Sequence, residues 1–298
     1  MASSSNTRGE LYNQILQQTF FILQNEFTLR KVARKKLHVF SIDVALVALG
    51  LRTCYLFDAF SVKGSLDIAL MNTLQILRTK IAVFNRVVVL HDIVCDQFFF
   101  LNVALFLSNR ENESETIESA HNMNDRYYNW FVLLESLPRF LPGIPTSTRN
   151  LLNSLSGTLS SFPVTNDPYH LLVQLNTPPD ITPENMVPFA AILLEYPVAY
   201  VPHSSNHNSS SYLSGVELTV FECTLDFGGV DIGIPPDHIF IKFSCPTFLV
   251  QLVENTETLA DKIHSQLMDK FTGRLESNNI PASVKIRRFQ ETHDRVAL

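Results

Sequence analysis

The stretch RTCYLFDAFSVKGSLDIALMNTL, residues 52–74, sets an apolar run, one acid, a short glycine-containing loop and an amphipathic segment end to end. Cys54, Tyr55, Leu56 and Phe57 have the pattern of a strand buried on both faces. Past the loop, Ser65 stands where a helix cap belongs, ahead of Leu66, Ala69, Leu70, Leu74 and Leu77 at helical spacing. Strand, loop and helix in that order are the grammar of an α/β domain, and the loop after the strand is where such folds place ligands. Asp58, at the strand's carboxyl end, and Gly64 with Ser65, at a helix start whose free N–H groups can meet an anion, are therefore the first candidates for a binding site.

Upstream, Leu11, Ile15, Ile22 and Leu23 recur among Gln and Asn as one face of a helix, and a second helix over residues 37–49 is stopped by Gly50. Downstream, residues 87–90 and 98–101 read as strands around a turn, and residues 130–134 as a buried strand. Two segments break the pattern. Residues 109–125 are acid- and Asn-rich with almost no apolar content, and residues 142–169 lie within a Pro-, Ser- and Thr-rich run holding one short helix near residues 150–155; both are expected as surface insertions. The second half repeats the alternation. A strand at 171–175 is followed by a helix opened by Thr182-Pro183-Glu184, then strands at 196–200, 217–227 and 238–244. A long helix over 247–271, with Leu249, Leu252, Val253, Leu259, Ile263 and Leu267 inward, and an edge strand at 284–289 complete the chain. The expected fold is one α/β domain over residues 1–298: a three-layer, mixed, mostly parallel sheet with helices on both faces and a helical N-terminal segment packed on it.

With 298 residues, 46% of them hydrophobic, and 22 Phe against 10 Gly, the chain has the composition of a folded protein with a ring-rich core. A net charge of -6 argues against a nucleic-acid binder that works through a general positive field. Arg30, Lys31, Arg34, Lys35 and Lys36 form the densest basic patch, read first as a solvated helix face and, alternatively, as a surface for an anionic partner. Cys54, Cys95, Cys223 and Cys245 lie far apart in apolar runs, as buried thiols do, without zinc or redox spacing. Neither a signal peptide nor a membrane span is legible, so an intracellular protein, cytoplasmic or nuclear, is expected, with no metal and no cofactor.

Chemical motifs fail one by one. There is no GxxxxGK[ST], no GxGxxG and no GxSxG, and a phosphotransfer pair of the Asp-x-Asp kind is cancelled by Phe60. His203 and His207 stand four apart, but in a loop-like polar run. Asp58, Asp92, His203 and Glu222 are what remains as acid–base candidates, and Asp58, Gly64 and Ser65 as ligand-binding ones.

A resemblance rests on several short stretches in fixed order: LFD at 56–58, LLEYPVAYVPH at 193–203, VFECTLDF at 220–227, HIFIKFSCP at 238–246 and RVAL at 295–298. Together they resemble an uncharacterised eukaryotic family whose vertebrate member is named only as a chromosome 1 open reading frame protein, and whose domain is filed as one of unknown function. The likeness spans residues 37–298, interrupted at 109–125 and 142–169. Glu195 departs from it, because the family tends to place a glycine before the tyrosine that is Tyr196 here. The resemblance implies a folded cytosolic or nuclear domain and carries over no catalytic residue. Two functions follow as expectations: a non-catalytic interaction or small-ligand-binding protein, or a hydrolase or transferase acting on a phosphorylated small molecule at the end of the first strand.

Overall fold

The computed structural model describes residues 3–62, 64–119, 129–161, 171–202, 213–228, 233–254 and 257–294; His203 and residues 120–125 and 162–169 of the expected insertions lie outside them. The chain opens with α1 (Ser3–Asn25), a 3-10 turn (Phe27–Leu29) and α2 (Arg34–Ala48), and the two helices pack on each other. From Phe40 to Ala48 every residue of α2 is buried, as expected of a helix that is apolar all round. Then follow β1 (Cys54–Leu56), α3 (Leu66–Lys80), a 3-10 turn (Ala82–Arg86), β2 (Val87–Asp92), β3 (Gln97–Asn102) and α4 (Val103–Ser119). The middle of the chain supplies β4 (Trp130–Leu134), β5 (Arg139–Phe140), α5 (Thr146–Ser160), β6 (Leu172–Gln174), α6 (Pro183–Leu193) and β7 (Val198–Pro202). It ends with β8 (Glu217–Asp226), β9 (Ile239–Pro246), α7 (Thr247–Val250), β10 (Val253–Glu254), β11 (Glu257–Thr258), α8 (Leu259–Ser277) and β12 (Ser283–Thr292).

These strands form mixed sheets, so the α/β class holds, but the sheets are not mostly parallel. The orders are β1-β3-β2-β6, β5-β4-β7 and β12-β8-β9, with a β10-β11 ribbon, and among the described residues only β2–β6 and β4–β7 pair in parallel. The reason is the length of the connections. A parallel pair needs a crossover of a dozen or more residues, whereas β2 turns into β3 across residues 93–96 and must run back beside it.

β1 is a three-residue edge strand, antiparallel to β3 with Leu56 opposite Phe99. In β2 and β3 the side chains divide by parity between two apolar clusters. Val87, Val89, Phe98 and Phe100 join the one that includes α2, α3, α8 and the C-terminal sheet, while Val88, Leu90, Phe99 and Leu101 join the one built with α4, α5 and α6. This is why both strands read as unbroken apolar runs.

Both expected surface insertions contain helix in their described parts. Residues 109–119 continue α4, and α5 is a 15-residue amphipathic helix whose Leu151, Leu152, Leu155 and Leu159 are buried in the second cluster. The long helix expected over 247–271 is split. It stops after α7, leaves Leu252 half exposed, passes through the β10–β11 ribbon and restarts at α8, where the Thr258 hydroxyl accepts the Asp261 amide at 3.2 Å. Leu155→Ala should therefore cost about 2–5 kcal/mol in chemical denaturation, the loss expected for a buried leucine; a change under about 0.5 kcal/mol would mean α5 is not part of the core.

Candidate functional site

Each acid singled out by sequence has a definite place. Asp58, two residues past β1, is exposed, while its neighbours Phe57 and Phe60 pack edge-on against Phe40 of α2 with centroids 5.4 Å away. Phe60 is thus a core anchor of the loop. Asp92 is buried at the end of β2, and its Oδ1 accepts the Val94 and Cys95 amides at 2.9 and 3.4 Å, closing the β2–β3 turn. Register carries Asp58 and Asp92 to the same end of the sheet, on opposite sides of β3, and no hydrogen bond or ion pair joins them among the described residues. Glu222 lies in a different sheet, at the centre of a cross-strand row: Lys242 Nζ of β9 is 3.0 Å from one carboxylate oxygen and Arg287 Nε of β12 is 3.0 Å from the other. Burial pushes its carboxyl up, but the bonds from Arg287 and Lys242 outweigh that and hold it below the usual range. Glu222 is a charged rivet between strands.

The anion cradle is also occupied from within. Gly64 has a positive φ of 95° and Ser65 precedes α3, but the Ser65 hydroxyl donates to the carboxylate of Asp67, whose Oδ1 accepts the Ile68 amide at 2.7 Å. Those bonds, the one from Ser65 first, lower the Asp67 carboxyl, so the first turn of α3 already carries its own negative charge. A phosphate arriving there would meet a like charge. The cysteines offer no nucleophile either, since burial raises all four thiols, Cys95 to about 11 and Cys223 to about 12. A shallow groove of about 340 Å³ beside α8 and β12 holds Asp261 and Arg288, already paired with each other at 3.2 Å.

What sequence reasoning missed is a pair of buried charge networks at the corner between α2 and β1. On one side Asp43 of α2 takes Arg52 Nη1 at 3.1 Å, and its Oδ1 lies 3.2 Å from His238 Nε2, all three residues being buried. On the other, Glu195 Oε2 accepts the Thr53 amide and Arg274 Nη1, each at 2.8 Å, and Oε1 accepts Arg274 Nη2 at 2.5 Å, with Lys270 Nζ at 3.6 Å. Arg274 also donates to the Leu51 carbonyl at 2.9 Å, and Asn109 of α4 to the Thr53 hydroxyl at 2.9 Å. Burial alone would raise the Glu195 carboxyl, but the charges of Arg274 and Lys270 and the bonds from Arg274 and Thr53 hold it far below the carboxylate range. Its backbone is left-handed, φ 62°, because Glu195 follows the last turn of α6: its own N–H reaches the Ile192 carbonyl and that of Tyr196 reaches Ala191. The signal was present in sequence, since a lone charge inside an apolar run, as in LLEYP, must find a buried partner.

One surface is left with unspent polar capacity. At the corner joining α1 to α2, Phe27 is 77% exposed among the exposed Arg30, Lys31, Arg34, Lys35 and Lys36, and Phe21, near the end of α1, is 67% exposed. The Arg30 guanidinium sits 5.4 Å over the Phe27 ring and that of Arg34 5.7 Å over Phe20, whose other neighbour is the His38 ring at 5.0 Å. The one acid in residues 11–42, Glu26, is turned onto its own chain, its Oε1 accepting the Thr28 amide and hydroxyl at 3.4 and 3.2 Å. No acid pairs with any of the five cations among the described residues. Among those residues no helix is long and apolar enough to cross a membrane.

Comparison of the chain with protein-family models, with curated proteins and with solved structures finds no match in any of the three.

Replacing Glu195 tests the buried network. Glu195→Ala should destabilise the fold by about 3 kcal/mol in urea unfolding, because the partly buried Arg274 and Lys270 lose their counter-charge and the Thr53 amide its acceptor. Glu195→Gly loses the same carboxylate but suits the left-handed backbone, so it should be less destabilised than the alanine variant by about 1 kcal/mol. The folded-state pKa being depressed, the carboxylate's contribution is complete above its ordinary value of 4.5 and is lost as the pH falls below that. The stability gap between wild type and Glu195→Gln should accordingly narrow in acid; a gap constant with pH would mean the group is not ionised in the fold.

Proposed function

We propose that the protein acts by docking, as a non-catalytic interaction protein, and that it docks through the corner between α1 and α2. One observation carries the reading: among the described candidates Asp92 Oδ1, Glu222 and Ser65 are held by partners within the fold, whereas the five cations at that corner pair with no acid among the described residues and two phenylalanine rings stand exposed. Asp92 closes a turn, Glu222 is held between Lys242 and Arg287, and Ser65 is taken by Asp67. Asp58 remains exposed and has no hydrogen bond or ion pair among the described residues; the groups that feel its charge are the Tyr55 and Tyr196 hydroxyls, which burial first and that charge after it make weaker acids.

The rival reading, a hydrolase or transferase acting on a phosphorylated small molecule, has in its favour that Asp58 and Asp92 fall at one end of one sheet. Against it stands the charge of Asp67 at the helix start that such a substrate would need. The resemblance to the eukaryotic family is part of our reading too. The left-handed backbone of Glu195 supports it, since a glycine at that position would meet the same conformational demand. We read the four-stranded sheet as the middle of three layers, supported by the parity split of β2 and β3 between two clusters.

Retention on a polyanionic matrix tests the docking corner. Wild type should elute at distinctly higher salt than Lys31→Glu/Arg34→Glu/Lys35→Glu, with Asp58→Ala behaving as wild type. A thermal-shift panel of nucleotides and sugar phosphates tests the rival. A ligand that raises the melting temperature of wild type but not of Asp58→Ala would overturn the non-catalytic reading.

A further inference from the structure

We infer that the partner at the α1–α2 corner is the surface of an anionic lipid bilayer, with the exposed phenylalanines entering the headgroup boundary and the cations of residues 30–36 lying among the lipid phosphates. This rests on the docking reading and names its occupant. Three observations select it. Phe21 and Phe27 are 67% and 77% exposed, whereas a peptide partner would need a groove to seat its side chains, and the groove of about 340 Å³ lies elsewhere, beside α8 and β12. The ring face of Phe27 is covered by Arg30, and that of Phe20 by Arg34. Single-stranded nucleic acid is gripped by bases stacked on open ring faces, and here a guanidinium already lies over the most exposed ring, that of Phe27. A guanidinium over a ring suits an interface instead, where the ring goes toward the acyl chains while the charge stays with the phosphates.

The third observation is the distribution of charge. Residues 11–25 of α1 contain no charged side chain, so the helix leading into the corner adds neither repulsion nor solvating acid. Its exposed positions are Leu11, Gln14, Gln17, Gln18, Phe21, Gln24 and Asn25. The whole chain carries -6, so the five cations at the corner, unpaired among the described residues, stand against a charge that is negative on balance. That combination orients the molecule as well as binding it. It also makes the association dependent on salt, since headgroup attraction decays within a Debye length.

Flotation of the full chain with vesicles decides the matter. Wild type should co-float with phosphatidylcholine vesicles holding about 30% phosphatidylserine and not with phosphatidylcholine alone, and the binding should fall steeply as salt rises from about 0.1 M to about 0.5 M. Lys31→Glu/Arg34→Glu/Lys35→Glu should lower partitioning about a hundredfold, and Phe21→Ser/Phe27→Ser about tenfold. All these side chains are exposed, and acids in the first turn of α2 suit the helix dipole, so both variants should melt as wild type does. Should a charge variant nonetheless fail to fold, Lys31→Gln/Lys35→Gln/Lys36→Gln should still lose about tenfold. Absence of vesicle binding, or binding that survives both the charge and the ring variants, overturns the lipid assignment. If the corner then still holds wild type on a polyanionic matrix or on an RNA oligomer, docking stands and the partner is another polyanion. If it holds to none of these, the docking reading falls with it.

Discussion

A carboxylate taken out of water has to be repaid by every hydrogen bond it can accept, and Glu195 is placed so that the repayment ties three separate parts of the chain together. Its oxygens meet the start of β1 at Thr53 and two cations of α8 at Arg274 and Lys270, and Arg274 passes the connection to the Leu51 carbonyl. The residue must leave the end of α6 in a left-handed conformation to reach them, at a backbone cost of about 1 kcal/mol. Removing one partner leaves an uncompensated charge in the interior, which is far worse than never having had the pair. The Asp43, Arg52 and His238 network on the other side of the same corner works alike, fastening α2 to the loop before β9. Sheet and helices are thereby located relative to each other by charge as well as by apolar packing.

How much of this was legible depended on whether the determinant was local. Thr182 with Pro183 announced α6, and the alternation in residues 217–226 announced β8, because caps and parity act over a few residues. The strand at residues 54–56 was found, but its place at a sheet edge and its antiparallel sense were not, since both depend on which strand lies beside it. In α5 the leucines at 151, 152, 155 and 159 carry a clear amphipathic period that the surrounding proline, serine and threonine content obscured. Between residues 247 and 271 the period was real but interrupted: a turn and a two-residue ribbon intervene before Thr258 caps a new helix.

For the site, residue type was a poor guide and partnership a better one. Asp92 and Glu222 are the kinds of residue that do acid–base work, yet Glu222 has both oxygens held by cations of the neighbouring strands and Asp92 has one oxygen holding the turn while the other is buried without a partner among the described residues. The basic run at 30–36 was visible as charge. Its setting beside Phe21 and Phe27 was not, because whether a phenylalanine faces water is decided by packing far from its own sequence position.

The division of β2 and β3 between two apolar clusters leaves this hairpin with an unusual freedom. In most half-buried strands a slip of one residue throws apolar side chains into water and is rejected for that reason. Here both faces are apolar, so burial alone would tolerate the slip, and fidelity falls to the polar residues at the two ends. Asp92 is spent on the turn amides, and Asn102 receives Leu105 on its carbonyl while its amide donates to Val47 of α2. A slipped hairpin would strand both groups unsatisfied in the interior. The acid that looked at first like chemistry thus serves as proofreading, ensuring that a greasy ribbon with two acceptable pairings adopts only one of them.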